Sequence, residues 1–285
     1  MTWLQAILLA ILQGVTELFP VSSLGHAVVV PDLLNWPVDE HSDAFLPFLV
    51  VMHMGTAFAM LLYFWKDWLD FGLGVIGVGP RAAQERKLFF RVVAATVPAV
   101  LVALALEKPI REMFASPLIA SIFLLLNGGM LFAAERMKPA TALKPIGEMS
   151  WRDSIVIGCF QCLALIPGLS RSGATMVGGY LTGLNHEDAA RFSFLTGTPI
   201  IIAATVHEAP KLLKMQKASQ ALGASPTIDL PLSLAAGAIS GVVAFISLWL
   251  LMRWFKNHEA KGFDPFAYYC MGFGAIATLI NIVAP

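Results

Sequence analysis

The segment FQCLALIPGLSRSGAT, residues 160–175, places a polar cluster in the middle of an apolar stretch. Its apolar run stops at Pro167 and Gly168, two residue types that interrupt helices. Four hydrogen-bonding side chains then follow within six residues: Ser170, Arg171, Ser172 and Thr175. A guanidinium flanked by hydroxyls matches the oxygens of a phosphate group. This stretch predicts an anion-binding site at a break in a helix.

The composition of the chain is that of an integral membrane protein. Of its 285 residues, 57% are hydrophobic and 13% are charged, and the mean hydropathy is +0.72. A soluble domain carries about 25% charged residues. The net charge is zero, which excludes the basic footprint of a nucleic-acid-binding domain. Residues 3–18 lack the charged flank and cleavage site of a signal peptide, and we expect them to belong to the fold.

The apolar residues fall into runs that predict an all-α polytopic membrane protein. Two stretches, 2–34 and 151–184, are each about 33 residues long and carry polar residues in their middle. That length is too great for one crossing and too small for two, so we expect re-entrant helix pairs, with a kinked span as the alternative. Six further runs are long enough to cross a bilayer: 45–65, 88–106, 117–134, 190–208, 230–252 and 263–283.

The two interrupted stretches resemble each other. Residues 13–25 align, with one gap, with residues 161–173, so that glutamine, proline, serine and glycine recur in the same order. Weak self-similarity at about half the chain length indicates a structural repeat with a site between the broken helices. We therefore expect one membrane domain, 1–285, with inverted halves of approximately 1–142 and 143–285.

The lysines and arginines predict the orientation in the membrane. The connections 66–87, 135–151 and 253–262 share one side and carry ten, and the connections on the other side carry five. The positive-inside rule places the richer side in the cytoplasm and both termini outside. The first re-entrant pair then enters from the outside and the second from the inside.

The first break carries a complementary set of polar side chains. Gln13 and Glu17 are four residues apart and share one face of a helix. Beyond Pro20, the candidate site residues are Ser22, Ser23 and His26. One break thus supplies a carboxylate, an imidazole and hydroxyls, and the other supplies an anion-binding cluster. This combination favours phosphoryl transfer, which depends on positioning and charge neutralisation. His53, inside the 45–65 run, is a candidate for a supporting role.

Structural roles remain open for several of these residues. Gln13 could bond to a neighbouring helix, and Ser22 and Ser23 could cap one. Arg171 could pair with Glu17 as a purely structural bridge. The occurrence of a polar cluster at both breaks favours a functional site, because an unpaired charge at membrane depth costs several kcal/mol.

Two motifs identify the chain as similar to a known family. QGVTELFPVSSLGH (13–26) and PGLSRSGAT (167–175) resemble the signatures of the undecaprenyl pyrophosphate phosphatase family, the bacitracin-resistance membrane phosphatases. The resemblance runs nearly end to end. It implies a dimeric protein with an inverted-repeat fold, located in the bacterial cytoplasmic membrane. The implied activity is removal of the terminal phosphate of a polyprenyl diphosphate, which recycles the lipid carrier of cell-wall synthesis.

The resemblance also implies roles for individual residues. Glu17 is the essential acidic residue, holding a divalent cation (Mg²⁺ or Ca²⁺) with Gln13 or orienting the nucleophile, and His26 is the acid/base. Ser23 joins them, and either Ser23 or water attacks. Gln13, Ser22, Ser170, Arg171, Ser172 and Thr175 bind the diphosphate. Gln13 departs from the glutamate of many members, which weakens the case for a two-carboxylate metal site. Cys270 stands where many members have arginine, at a position expected to affect dimer packing or lipid contacts.

A second class of function is compatible with the same pattern. Inverted repeats that meet at a midplane anion site also describe a polyprenyl-phosphate flippase. The pairing of Glu17 with His26 beside the anion site favours hydrolysis, because transport needs no proton donor.

Overall fold

The computed structural model of the chain describes residues 2–36, 45–106, 116–137, 143–221, 230–258 and 260–283. Within these ranges the chain forms eleven α-helices, one short 3₁₀ helix and no β-strand, so the all-α prediction is confirmed. The first five helices are α1 (Trp3–Thr16), α2 (Ser23–Leu33), α3 (Phe45–Tyr63), α4 (Trp65–Val75) and α5 (Ala82–Ala105). The others are α6 (Pro117–Arg136), the 3₁₀ helix (Ile146–Glu148), α7 (Trp151–Leu163), α8 (Arg171–Leu181), α9 (His186–Ala221), α10 (Leu230–Asn257) and α11 (Asp264–Val283).

Five of the described helices are long and apolar enough to cross a membrane: Ala82–Ala105, Pro117–Arg136, His186–Glu208, Pro231–Asn257 and Asp264–Val283. A sixth results if Phe48–Tyr63 and Trp65–Val75, which meet at a bend of 71°, count as one span. The bend begins where the sequence changes from an apolar run to the charged residues of α4. The protein is therefore a multi-pass membrane protein, and the six predicted runs coincide with α3, α5, α6, α9, α10 and α11.

Both predicted breaks are present. The helices α1 and α2 are separated by residues 17–22, and α7 and α8 by residues 164–170. The members of each pair contact each other. Ser22 has a positive φ of 72° and caps α2 by accepting from the Gly25 N–H group. Gly168 has a φ of 98°, in the region that glycine adopts without steric cost, and Ser170 caps α8.

The helix contacts of the two halves correspond. The first helix of each interrupted stretch packs on a span of the other half: α1 on α10, and α7 on α5. The next spans follow the same rule, since α3 packs on α10 and α9 on α5. The α3–α10 contact is close because Gly55 lies against Gly237, where a side chain would overlap the carbonyl. This packing brings both breaks into the interior of the bundle.

Polar contacts gather three connections at one end of the bundle. Glu135, at the end of α6, accepts hydrogen bonds of 2.8 Å from the backbone N–H groups of both Lys261 and Phe263. Asp188 in α9 accepts a 3.1 Å hydrogen bond from the Ile146 N–H group. An ion pair links α4 to α9. The three connections that the sequence assigns to one side therefore lie at the same end.

Candidate active site

Glu17 joins the two helix breaks. It follows the last residue of α1, and its side chain is 7% exposed. Its Oε1 accepts a 2.7 Å hydrogen bond from Arg171 Nη2, across 154 residues of sequence. Its Oε2 accepts a 2.6 Å hydrogen bond from Ser23 Oγ. The predicted convergence of the two polar clusters is thus present as a buried ion pair with a hydroxyl on the same carboxylate.

Two more side chains approach Glu17 Oε2. Gln13 Nε2 donates to it at 3.3 Å, as their shared helix face predicts. His53 Nε2 lies 3.4 Å away. His53 Nδ1 is 2.8 Å from the Leu49 carbonyl, which only accepts, so Nδ1 carries a hydrogen. If Nε2 also carries a hydrogen, the ring is an imidazolium that pairs with the carboxylate. Together with Arg171 it would then give the site an excess of positive charge, which suits an anion.

Arg171 begins α8 and is held on two sides. Besides Glu17, its guanidinium donates through Nη1 to the Ser193 carbonyl of α9 at 3.2 Å. It lies against Gly197, where an added Cβ would overlap it. Arginine has five N–H donors, and these two contacts leave others for a ligand. The side chain is 13% exposed, so it is enclosed but retains a small accessible surface.

The remaining hydroxyls bond to the backbone or to each other. Ser172 Oγ donates to the carbonyls of Glu17 (3.3 Å) and Phe19 (3.2 Å), which ties the second break to the first. The hydroxyl oxygens of Ser170 and Ser172 are 3.0 Å apart, and Thr175 Oγ1 lies 2.6 Å from Ser193 Oγ. The structure thus shows these serines, Thr175 and the capping Ser22 in supporting contacts. Their binding of a diphosphate stays a prediction.

The described contacts of His26 do not include the Glu17 carboxylate. Its Nδ1 lies 2.7 Å from the Ser22 carbonyl and its Nε2 lies 2.9 Å from the Tyr269 hydroxyl. Its ring stacks on Tyr269 and on Phe273, with centroids 5.7 and 5.0 Å apart. Nδ1 is therefore engaged at the start of α2, and Nε2 is engaged by α11. The acid/base role of His26 stays a prediction, and His53 is the histidine that faces Glu17.

Sequence reasoning missed two residues of this site and underrated a third. Ser193 and Asn127 hold the second break, and His53 contacts the carboxylate. The available signal was the same for Asn127 and His53, a polar side chain within an apolar run. Ser193 gave no signal, because serine is common in membrane helices and its carbonyl makes the contact.

The oxygen atoms around Glu17 fit a divalent cation in part. The described residues contain no group of three or more His, Cys, Asp or Glu arranged to hold a metal. Gln13 Oε1 is buried without a hydrogen-bond partner, on the same amide whose Nε2 donates to Glu17. Carboxylate, amide and hydroxyl oxygens are the hard ligands that Mg²⁺ and Ca²⁺ prefer. The set would supply only part of the six or more oxygen ligands that such a cation takes.

The fold and site together define a class of protein: a multi-pass helical membrane protein with a buried polar site where two helix breaks meet. The family model described as "Bacitracin resistance protein BacA" matches residues 6–276, and the chain belongs to this family. The family resemblance found in the two motifs is confirmed.

Similar proteins extend over the whole chain. A protein of Acidiphilium cryptum named "Undecaprenyl-diphosphatase" is 50% identical over 284 residues, covering 98% of each chain. One of Granulibacter bethesdensis with the same name is 48% identical, covering 98% of this chain and 97% of the relative. "Undecaprenyl-diphosphatase 2" of Chromobacterium violaceum is 45% identical, covering 99% of this chain and all of the relative.

The packing of Arg171 against Gly197 leads to a prediction. Gly197→Ala should displace the guanidinium and break its contact with Glu17. Breaking a buried ion pair costs about 3–5 kcal/mol, so the thermal unfolding midpoint in detergent should fall. Gly272→Ala is the matched control, because a Cβ at this helical glycine meets nothing within 4 Å. Equal midpoints for the two variants would contradict the packing.

Proposed function

We propose that the protein hydrolyses the terminal phosphate of a polyprenyl diphosphate, giving the monophosphate lipid and inorganic phosphate. The observation that carries the proposal is the buried contact of Arg171 and Ser23 with one carboxylate. The names of the similar proteins support undecaprenyl diphosphate as the substrate. In a bacterial cytoplasmic membrane, this reaction recycles the lipid carrier of peptidoglycan synthesis.

Arg171 binds the substrate in this mechanism. Its remaining N–H groups bond to the diphosphate oxygens, and the N-terminus of α8 adds the positive end of a helix dipole. A diphosphate carries more negative charge than a carboxylate and therefore competes with Glu17 for the guanidinium. His53, beside the same carboxylate, contributes a second positive group as charge develops on the phosphate.

Ser23 is the group best placed to attack the terminal phosphorus. Its hydroxyl hydrogen already points to Glu17 Oε2, which is the arrangement of a nucleophile with an adjacent base. As Ser23 Oγ bonds to phosphorus, Glu17 takes its proton and the bond from phosphorus to the bridging oxygen breaks. The monophosphate lipid leaves. Water then displaces Ser23 from the phosphorus, releases inorganic phosphate, and Ser23 regains its proton.

A divalent cation belongs to the proposal. Glu17 and Gln13, with Ser23, would hold it beside the substrate. When bound, Mg²⁺ or Ca²⁺ supplies charge neutralisation at the diphosphate oxygens.

The orientation and assembly are also proposals. The site opens to the outer side of the membrane, both termini lie outside, and the halves 1–142 and 143–285 form an inverted repeat. The corresponding helix contacts of the two halves and the clustering of the Lys- and Arg-rich connections at one end support this arrangement. A homodimer rests on the family resemblance alone.

Phosphate release by the purified protein in detergent tests the activity, since detergent micelles have no leaflets across which a flippase could act. We expect release from undecaprenyl diphosphate, and Arg171→Lys should lower kcat/KM about 10²-fold because lysine lacks the bidentate fork. Arg253→Lys, at the exposed end of α10, is the matched control and should keep wild-type turnover. A folded wild-type protein that releases no phosphate would favour the flippase.

Removal of divalent cations tests the metal. Exhaustive chelation should abolish phosphate release, and Mg²⁺ or Ca²⁺ should restore it, because hard oxygen ligands and a diphosphate share such ions. Full activity after chelation, with residual metal measured in the same sample, would rule out the cation and leave charge neutralisation to Arg171 and His53.

Cysteine labelling tests the orientation, in a background in which the native cysteines are replaced. A cysteine at Ser42, which lies outside the described residues, should react with a membrane-impermeant thiol reagent in intact cells. One at Gln84, exposed at the start of α5, should react only after lysis. The reverse pattern would make the site face inward.

A further inference from the structure

Asn127 is a polar side chain in the middle of an apolar spanning helix. It lies in α6 and is fully buried, with 0% exposure. An amide in apolar surroundings is costly unless its donors and acceptor are paired. Its partners therefore indicate why the residue is there.

The side-chain amide of Asn127 forms one hydrogen bond with each of the two helix breaks. Nδ2 donates to the Pro20 carbonyl at 2.9 Å, and Oδ1 accepts from the Ser170 N–H group at 3.0 Å. Nδ2 also lies 3.5 Å from Cys270 Sγ in α11. The Pro20 and Ser170 groups lie at the two breaks, where backbone atoms have no helical partner. One side chain thus satisfies a backbone group from each break.

These backbone groups are adjacent to the reacting side chains. Pro20 lies three residues after Glu17, and Ser170 directly precedes Arg171. The amide therefore controls the spacing across which Arg171 reaches the carboxylate at 2.7 Å. Asn127 itself has no described contact with Glu17, Ser23 or Arg171, so it acts through the backbone.

The other contacts between the two breaks are made by residues of the interrupted helix pairs themselves. Ser172 reaches the first break with hydrogen bonds of 3.2 and 3.3 Å, and Gly25 packs on Gly168. Asn127 is different, because it belongs to a helix outside both interrupted pairs. That helix packs along α11 and against α2 and α8, and so provides a fixed frame for both breaks.

We propose that Asn127 is a positioning residue for the reaction. It holds the two helix breaks in register, so that Glu17, Ser23 and Arg171 converge on one phosphate. This inference rests on the proposed function for its activity readout. Its structural content is the pair of hydrogen bonds that join one side-chain amide to both breaks.

The first experiment uses Asn127→Leu, which keeps the size and removes both hydrogen bonds, and Asn127→Ala, which also relieves any crowding. We expect kcat/KM for undecaprenyl diphosphate to fall about 10²-fold, the effect of a displacement of about 1 Å at a reacting group. Asn281→Leu, in α11, is the matched control, since the hydrogen bond described for its Nδ2 is to the Ala277 carbonyl of the same helix, and it should keep wild-type activity. Asn127 variants as active as this control would overturn the proposal.

A double-mutant cycle separates positioning from general destabilisation. If Asn127 acts through the Glu17–Arg171 geometry, adding Asn127→Leu to Arg171→Lys should cost far less than it does in the wild type. Independent losses that multiply would show a merely structural role and overturn the proposal. The unfolding midpoint of each variant is measured in the same detergent, and Asn127→Ala replaces the leucine variant if the latter does not fold.

Binding of inorganic pyrophosphate gives a readout that needs no turnover. It should raise the unfolding midpoint of the wild type and of Asn281→Leu, and raise that of Asn127→Leu much less. An inactive wild type that still shows this difference would contradict the proposed hydrolysis but keep the positioning role. Equal shifts in all three proteins would overturn the positioning role while leaving hydrolysis intact.

Discussion

The contact between Arg171 and Glu17 is the constraint on which the rest of the structure depends. Either charge alone at membrane depth costs several kcal/mol, so the fold must bring them together although 154 residues separate them. Each lies at a helix break, where Ser22 and Ser170 cap the helix that follows. The Gly197 backbone makes room for the guanidinium.

This ion pair is better explained by chemistry than by stability. A buried pair gains little over apolar residues of the same size, because desolvation offsets the attraction. Around Glu17, however, four groups converge on one carboxylate: a guanidinium on Oε1, and an imidazole, an amide and a hydroxyl that crowd Oε2. A phosphate can take over these donors. In the proposed mechanism, the carboxylate then accepts the proton of Ser23 in place of the guanidinium contact.

The sequence predicted the helices, the breaks and the meeting of Glu17 with Arg171, since hydropathy, proline, glycine and charge are local signals. It did not predict which histidine faces the carboxylate. His26 lies in the motif, yet its ring turns toward Tyr269, and His53 reaches Glu17 from α3. That choice depends on how two helices rotate about their axes when they pack. Asn127 was missed for the same reason, because its partners are backbone atoms far away in sequence.

The hydrogen bonds between the two breaks also help to distinguish hydrolysis from lipid transport, the two functions that the sequence left open. A transporter of this architecture moves one repeat against the other around its site. Here Ser172 bonds across the breaks to two carbonyls, Asn127 bonds to both breaks, and Arg171 spans from Glu17 to Ser193. Relative motion of the halves would break the hydrogen bonds that cross between them: those of Ser172 to the two carbonyls, that of Arg171 to Glu17 and that of the Ser170 N–H group to Asn127. A site fixed in this way suits a reaction, in which preorganised groups stabilise developing charge without rearranging.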